Sequence, residues 1–239
     1  MRVILPCAGD QTRWGHPLYP HKQLVPIFGE PLLHRTVRQL QERGVTDIGI
    51  VAVLDEYFCP GAVLFPPRQP ADSIEIDKLL SSRHGWSTTD RTTVLFGDVV
   101  FSEAAMATIA CCNKPGVQWF GRMHLNPVTG GHSEVFGLTF LPENAGELRR
   151  AAKLLRAEHV TLRTQYPNTY RLRRQYSKAK RLYKQMHPDK ATWYQATSHW
   201  TTLYDITEDF DCAEDYTRWT RAVPYAERGK DPDISFPAV

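Results

Sequence analysis

Two cations, Arg13 and Lys22, lie in one stretch of chain directly after the first apolar run. A guanidinium can hold phosphate oxygens with its planar fork, and an ammonium supplies a point charge that stabilises a phosphoryl group under attack. Gly9, at the start of the same stretch, lets the backbone approach a ligand closely. These residue types are typical of a phosphate-binding loop, although an ordinary surface loop with two solvated cations has the same composition.

A carboxylate, Asp98, follows another apolar run, Val94 to Phe96. A hard divalent cation that bridges phosphate groups needs oxygen ligands, so Asp98 is a candidate metal ligand. An aspartate at this place can also cap a helix that begins near Ser102. The spacing alone leaves both interpretations open.

Further acidic residues cluster in the stretch DITEDFDCAEDYTRW near the end of the chain. Glu214 and Asp215 fall in the first turn of a predicted helix, where the helix dipole favours carboxylates, so we interpret them as capping residues. Asp209 and Asp211 precede that helix, and alternation along an extended segment points both side chains the same way. Those two aspartates are therefore further candidate metal ligands.

Alternating strands and helices must position these side chains. Apolar spacing and stop signals predict strands over 3–6, 48–53, 94–96, 117–122 and 133–141, helices over 31–44, 73–86, 144–158 and 212–223, and an irregular loop over 57–70. The first strand, helix and strand form a βαβ unit, which is normally parallel and right-handed. Open α/β sheets bind ligands at the carboxyl ends of their strands, and both the Gly9 loop and Asp98 lie at such ends.

The stretch AGDQTRWG, followed by KQLVPIFGEPLLHRTVRQLQERGV, resembles the N-terminal signature of the nucleotidyltransferase family that activates sugar phosphates and related alcohol phosphates. That signature is written A-G-x-G-T-R…P-K-x-L…G-x-P-L-L, and the likeness covers about fifty consecutive residues. Gln11 stands in place of the second glycine, and His21 separates Pro20 from Lys22. The resemblance implies a Rossmann-like α/β fold of the glycosyltransferase-A type, a three-layer sandwich around a mostly parallel sheet.

The resemblance also implies roles for particular residues. Those of the loop that would bind the nucleotide are Ala8, Gly9, Asp10, Gln11, Thr12 and Arg13. Arg13 and Lys22 would be catalytic, with Lys22 also holding the phosphate of the second substrate. Asp98, Asp209 and, as substitute or neighbour, Asp211 would hold Mg²⁺, because the acidic stretch resembles the family's D-x-D-T-x-E-D element. Glu134 would accept a hydrogen bond from a sugar hydroxyl.

We therefore predict a Mg²⁺-dependent nucleotidyltransferase in which a sugar 1-phosphate, or a similar phosphate alcohol, attacks the α-phosphorus of a nucleoside triphosphate and releases pyrophosphate. One alternative is a glycosyltransferase on the same fold that uses a nucleotide-sugar donor on a large acceptor such as nucleic acid. A single Gly97-Asp98 in place of D-x-D argues against it. A second alternative is a catalytically inactive nucleotide-binding module, since Gln11 and His21 depart from the signature.

Composition bounds the class of protein. The 239 residues are 42% hydrophobic and 23% charged with a net charge of +3, which are ordinary globular values for a single domain. No apolar run approaches the roughly 20 residues that span a bilayer, and we expect a cytoplasmic protein without a membrane partner. Five cysteines without a paired spacing predict free thiols.

The segment 160–200 differs from the rest and is interpreted as a helical insertion. Between Arg163 and Lys190 it carries nine Lys or Arg residues against one acid, interleaved with tyrosines. These residues either bind nucleic acid or form the solvated face of helices whose aromatic side chains pack on the core or on a second subunit. We prefer the second interpretation, which also favours a homodimer.

Overall fold

The structure is a computed structural model that describes residues 1–9, 11, 13–68, 75–126, 130–131, 133–162, 171–174, 176, 198–203 and 205–223. Asp10 and Thr12 of the predicted nucleotide loop lie outside the described residues. So does most of the basic segment. The cysteines are free thiols, as predicted.

A seven-stranded sheet forms the centre of the molecule. Its strands, in spatial order, are β10 (Ser198–Thr202), β8 (Val117–Arg122), β9 (Glu134–Phe140), β6 (Thr92–Leu95), β1 (Arg2–Pro6), β4 (Asp47–Val51) and β5 (Val63–Phe65). The pairs β1–β4, β1–β6, β4–β5 and β8–β10 are parallel, whereas β9 is antiparallel to both of its neighbours. The sheet is mostly parallel, and its five inner strands are largely buried, as such sheets require.

Helices cover both faces of this sheet. They are α1 (Leu32–Glu42), α2 (Glu75–Ser81), α3 (Glu103–Ala110) and α4 (Pro142–Leu162). Side chains of β1 alternate between the faces, because Val3 and Leu5 join the core beneath α1 and α3 while Ile4 joins the core beneath α2 and α4. The predicted three-layer α/β sandwich is confirmed in this arrangement.

Two short ribbons and a final helix complete the described fold. The ribbons pair β2 (Pro26–Ile27) with β3 (Glu30–Pro31) and β7 (Val99–Val100) with β11 (Glu208–Asp209). The final helix, α5 (Ala213–Ala222), buries Trp219 in a third apolar cluster with Trp14 and Phe210. That cluster fixes α5 against the chain that follows the Gly9 loop.

Two strands of the central sheet lie where the sequence predicted other structure. β5 lies inside the predicted irregular loop 57–70, and its Phe65 packs where a β-carbon on Gly49 or Gly85 would collide with the ring. β10 lies at the end of the predicted helical insertion and forms a sheet edge beside β8. In both cases the strand is held by tertiary pairing and carries no alternating apolar pattern of its own.

Part of the basic segment is described. Tyr176 is buried in the core beneath α2 and α4, and the Arg173 guanidinium stacks 4.7 Å from the centroid of the Trp200 ring. For these residues the packing interpretation holds. Among the described residues, no helix is long and apolar enough to cross a membrane.

Candidate active site

The carboxyl ends of β1 and β6 meet at one edge of the sheet. The two strands pair in parallel, with Ile4 opposite Val94, so the loops that follow them emerge side by side. Gly97 permits this contact, because a β-carbon there would lie 2.4 Å from the Cys7 sulfur and 3.2 Å from the Pro6 carbonyl oxygen. The next residue after that glycine is Asp98.

Lys22 and Asp98 form a buried ion pair at this edge. The Lys22 Nζ lies 2.5 Å from the Asp98 Oδ2, and the two residues are 3% and 8% exposed. Burial alone would raise the pKa of Asp98, but the charges of Lys22 and Lys78 hold it well below its ordinary value. Burial alone would lower the pKa of Lys22, but Asp98 and the nearby Asp211 and Asp209 raise it. Both groups are therefore ionised at neutral pH.

The ribbon of β7 and β11 brings Asp209 to the same place. Asp209 stands opposite Val99 in the register, and the Phe210 amide donates to the Asp98 carbonyl oxygen at 3.0 Å. Burial and the charges of Glu134, Asp211, Asp98 and Glu208 raise the pKa of Asp209 well above its ordinary value. Asp98 and Asp209, far apart in sequence, thus form one carboxylate pair.

Asp211 occupies the outer part of the site. Its Oδ1 accepts from the Arg13 Nη2 at 2.9 Å and lies 3.8 Å from the Lys22 Nζ. The Arg13 side chain is 72% exposed, so its guanidinium can reorient toward a ligand. The fold therefore brings the predicted cations and aspartates together, and the carboxylate of Asp211 lies between Arg13 and Lys22.

Gln11 has a defined role in place of the expected glycine. Its side-chain amide donates to the Gly9 carbonyl oxygen at 3.3 Å and to the Gln23 Oε1 at 3.2 Å, and its Oε1 accepts from the Lys22 amide at 3.4 Å. The Tyr57 hydroxyl completes this network by donating to Gln23 at 3.1 Å. Gln11 thus braces the loop between its two predicted phosphate-binding ends.

The additional residue, His21, points away from the site. Its Nε2 lies 3.1 Å from a carboxylate oxygen of Glu56, and its ring packs against Tyr57. The 3-10 turn Lys22–Leu24 follows directly. Lys22 consequently still reaches Asp98 despite the insertion.

A buried ion pair lies beneath Asp209. The Arg122 Nη2 contacts the Glu208 Oε1 at 2.7 Å, and neither side chain is more than 2% exposed. Asn126 donates to the other Glu208 oxygen at 3.1 Å. Glu134, the predicted sugar-binding residue, begins β9 opposite Arg122, and its charge reaches Asp209.

Lys78 is a site residue that sequence reasoning missed. Its Nζ lies 3.7 Å from the Asp98 Oδ2, and its side chain is 16% exposed. Its side chain crosses the Gly9 loop, because a β-carbon on Gly9 would lie 2.3 Å from the Lys78 Cε and 2.8 Å from its Nζ. A lysine in a short amphipathic helix gives no sequence signal that distinguishes it from a solvated residue.

Other acidic residues have structural roles. Ser102, rather than Asp98, caps α3 by accepting from the Ala105 amide at 2.9 Å, and Asp205 accepts from the Ser102 hydroxyl. Asp215 closes a capping box at the start of α5 with Cys212. The capping interpretation of Asp215 is therefore confirmed, and that of Asp98 is wrong.

The carboxylates of the site could provide oxygen ligands for a magnesium ion, but they do not form a complete coordination shell. Across the described part of the chain, no three His, Cys, Asp or Glu side chains are placed to hold a metal by themselves. Magnesium, however, is commonly held by only one or two carboxylates, with substrate phosphates and waters completing its shell. Asp98 and Asp209 supply two hard oxygen donors, and a cation beside Asp209 would offset the burial and the neighbouring negative charges that raise its pKa.

Comparisons with known proteins support the fold. No model of a known protein family matches the chain, and no curated protein matches it in sequence. A CTP:phosphocholine cytidylyltransferase from Streptococcus pneumoniae has a TM-score of 0.53 at 15% identity, covering 93% of this chain and 99% of its own. A Bacillus anthracis protein described as a glucose-1-phosphate thymidylyltransferase has a TM-score of 0.55 at 14% identity, covering 99% and 97%. The chain thus has the fold of these nucleotidyltransferases over almost its whole length.

Proposed function

We propose that the protein is a Mg²⁺-dependent nucleotidyltransferase. In the proposed reaction, a phosphate oxygen of a sugar 1-phosphate or phosphate alcohol attacks the α-phosphorus of a nucleoside triphosphate, and pyrophosphate leaves. The observation that carries the proposal is the buried Lys22–Asp98 pair beside Asp209, at the carboxyl edge of a sheet of this fold. Such clusters of charge stabilise phosphoryl transfer mainly by positioning and electrostatics.

The chain's own residues divide this task. Lys22, held in the charged form by Asp98, would neutralise charge that develops on the α-phosphate. Arg13 would release Asp211 and hold the outer phosphates with its planar guanidinium. Asp98 and Asp209 would hold Mg²⁺, which supplies Lewis-acid stabilisation of the phosphoryl oxygens.

Lys78 adds a third cation to this proposal. Its stem crosses the Gly9 backbone, and its ammonium faces Asp98. A triphosphate that approaches the Gly9 loop would therefore meet the charge of Lys78 as well as those of Arg13 and Lys22. The charge of Lys78 would compensate for backbone contacts with phosphate that the Gln11 side chain hinders, at the position where the family signature has glycine.

The names of the similar structures suggest a choice of second substrate. One is named for phosphocholine and the other for glucose 1-phosphate. Both compounds carry a phosphate that is ionised at neutral pH, so no general base is needed for attack. Glu134 would accept a hydrogen bond from a hydroxyl group if the second substrate is a sugar phosphate.

Pyrophosphate release is the direct test. Each common nucleoside triphosphate is incubated with Mg²⁺ and a panel of sugar 1-phosphates and phosphocholine, and release must require both substrates. The isosteric variant Asp98→Asn should lose activity at least a hundredfold, whereas Asp90→Asn, in an exposed turn, should retain it. Hydrolysis of a nucleotide sugar without release would indicate a glycosyltransferase, and nucleotide binding without turnover would indicate a binding module.

A further inference from the structure

A cavity lies between the segment that precedes β6, the chain that follows β5 and the first turns of α4. Its volume is about 520 Å³, within the range of small-molecule pockets. One wall is the segment Arg83 to Thr88 before β6, and another is the first turns of α4. Asp98 follows β6 whereas this segment precedes it, so the full length of the strand separates this wall of the cavity from Asp98.

Three arginines converge on this cavity from three parts of the chain. Arg68 follows β5, Arg83 lies in a 3-10 turn and Arg149 lies on α4. None of the described residues that line the cavity is acidic. Within the described residues, these three guanidinium groups also make no ion pair, whereas Arg38, Arg122 and Arg218 elsewhere each contact a carboxylate. The cavity therefore concentrates positive charge that no described carboxylate compensates.

The walls of the cavity are held by internal contacts. The Trp86 indole donates to the Ser82 hydroxyl at 3.2 Å and packs edge-on against Phe140, with ring centroids 4.9 Å apart. The Ser87 amide donates to the Thr92 hydroxyl at 2.9 Å. The Arg68 amide donates to the Ser81 carbonyl oxygen at 3.1 Å. These contacts hold the backbone of Arg68 and the segment around Arg83.

We propose that this cavity binds a phosphorylated small molecule. Guanidinium groups bind phosphate through paired, charge-assisted hydrogen bonds, and the positive end of the α4 dipole adds to their attraction for an anion. Ser87 and Thr88 offer hydroxyl donors, and Trp86 offers an aromatic surface for a base or sugar. The proposal does not depend on the activity proposed for the site around Lys22 and Asp98.

Two matched pairs of variants test the proposal. Gly146 lines the cavity, and a β-carbon there would meet no atom within 4 Å, so Gly146→Glu adds a negative charge without a clash and Gly146→Ala is its control. Arg149→Gln removes a lining cation, whereas Arg150→Gln makes the same charge change one residue away on the same helix. All four proteins are compared with the wild type by thermal unfolding, to confirm that they are folded.

The measurement is calorimetric titration of inorganic pyrophosphate into the full chain, with EDTA present to suppress metal-dependent binding. We expect Gly146→Glu and Arg149→Gln to bind at least tenfold more weakly than the wild type, and both controls to bind within about twofold. A wild type that does not bind pyrophosphate would overturn the proposal. Equal weakening by Arg149→Gln and Arg150→Gln would also overturn it, since only net charge would then matter.

A second titration distinguishes the sources of the phosphate. A nucleoside diphosphate replaces pyrophosphate under the same conditions. Tighter binding of the nucleotide, lost in Gly146→Glu, would identify a nucleotide that uses the Trp86 surface. Equal affinity would identify a ligand recognised by its phosphate groups alone.

Discussion

Replacing Arg122 by methionine would leave the Glu208 carboxylate buried without its cation. Removing one partner of a buried ion pair costs about 3–5 kcal/mol, and Arg122 also donates to the Thr207 carbonyl oxygen at 2.8 Å. For a chain of this length, that loss lowers the melting temperature by about 6–20 °C. The conservative variant Glu208→Gln should also be destabilised, because it leaves the buried guanidinium without the compensating charge of Glu208.

The double variant Arg122→Met/Glu208→Gln supplies the decisive comparison. Methionine fills the space of the arginine stem, and the glutamine can still accept from Asn126, which lies 3.1 Å from the present carboxylate. Urea unfolding of the four proteins should give a favourable coupling energy of about 3 kcal/mol or more between positions 122 and 208. A coupling below about 1 kcal/mol, the size for exposed pairs, would refute the argument from burial.

Three further outcomes are expected. Asp209→Asn should abolish turnover and, in EDTA at neutral pH, should raise the stability of the protein. The stability of the wild type should fall as pH rises through the raised Asp209 pKa, because the folded protein holds that proton to a higher pH than the unfolded chain does. Thermal unfolding of the variant from pH 5 to 8 should lack this fall. Gly97→Ala should cost about 1–3 kcal/mol through its collision with the Cys7 sulfur, and Cys7→Ala should restore part of that stability in urea unfolding; no recovery would contradict the collision. Lys78→Met should leave the fold intact and raise the KM for the nucleoside triphosphate about tenfold or more. An unchanged KM would show that Lys78 pairs with Asp98 but does not contribute to binding of the triphosphate.

The spacing of apolar residues and the helix stop signals predicted the strands and the helix of the first βαβ unit. The stop at Gly44, which has a φ of +78°, and the apolar spacing in α1 located the βαβ unit correctly. β5 was missed because it is only three residues long and lies among prolines, so that pairing with β4 decides its conformation. β10 was missed because its sequence, SHWTT, has no alternation of apolar and polar side chains. Its extended conformation depends on pairing with β8.

The sequence indicated the candidate site residues whose type the proposed chemistry requires. It did not indicate residues that only the folding of the chain brings close to them. Arg13, Lys22 and the aspartates stand out because cations and carboxylates after strands suit phosphate and metal binding, and because their order resembles the family signature. Lys78 could not be found in this way, because its approach to Asp98 depends on the packing of α2 over the loop. The brace formed by Gln11 was equally hidden, since its partners Gly9, Lys22 and Gln23 are evident only from the folded loop.

The contact between Gly9 and Lys78 links two distant positions during evolution. A β-carbon at position 9 would occupy the place of the Lys78 Cε and Nζ, so a larger residue there would displace the ammonium from its position beside Asp98. The flexible end of the lysine can move aside, so such a chain would keep its fold and lose the charge at this place. Among homologous sequences, lysine at position 78 should therefore be accompanied by glycine at position 9 more often than other residues at position 78 are.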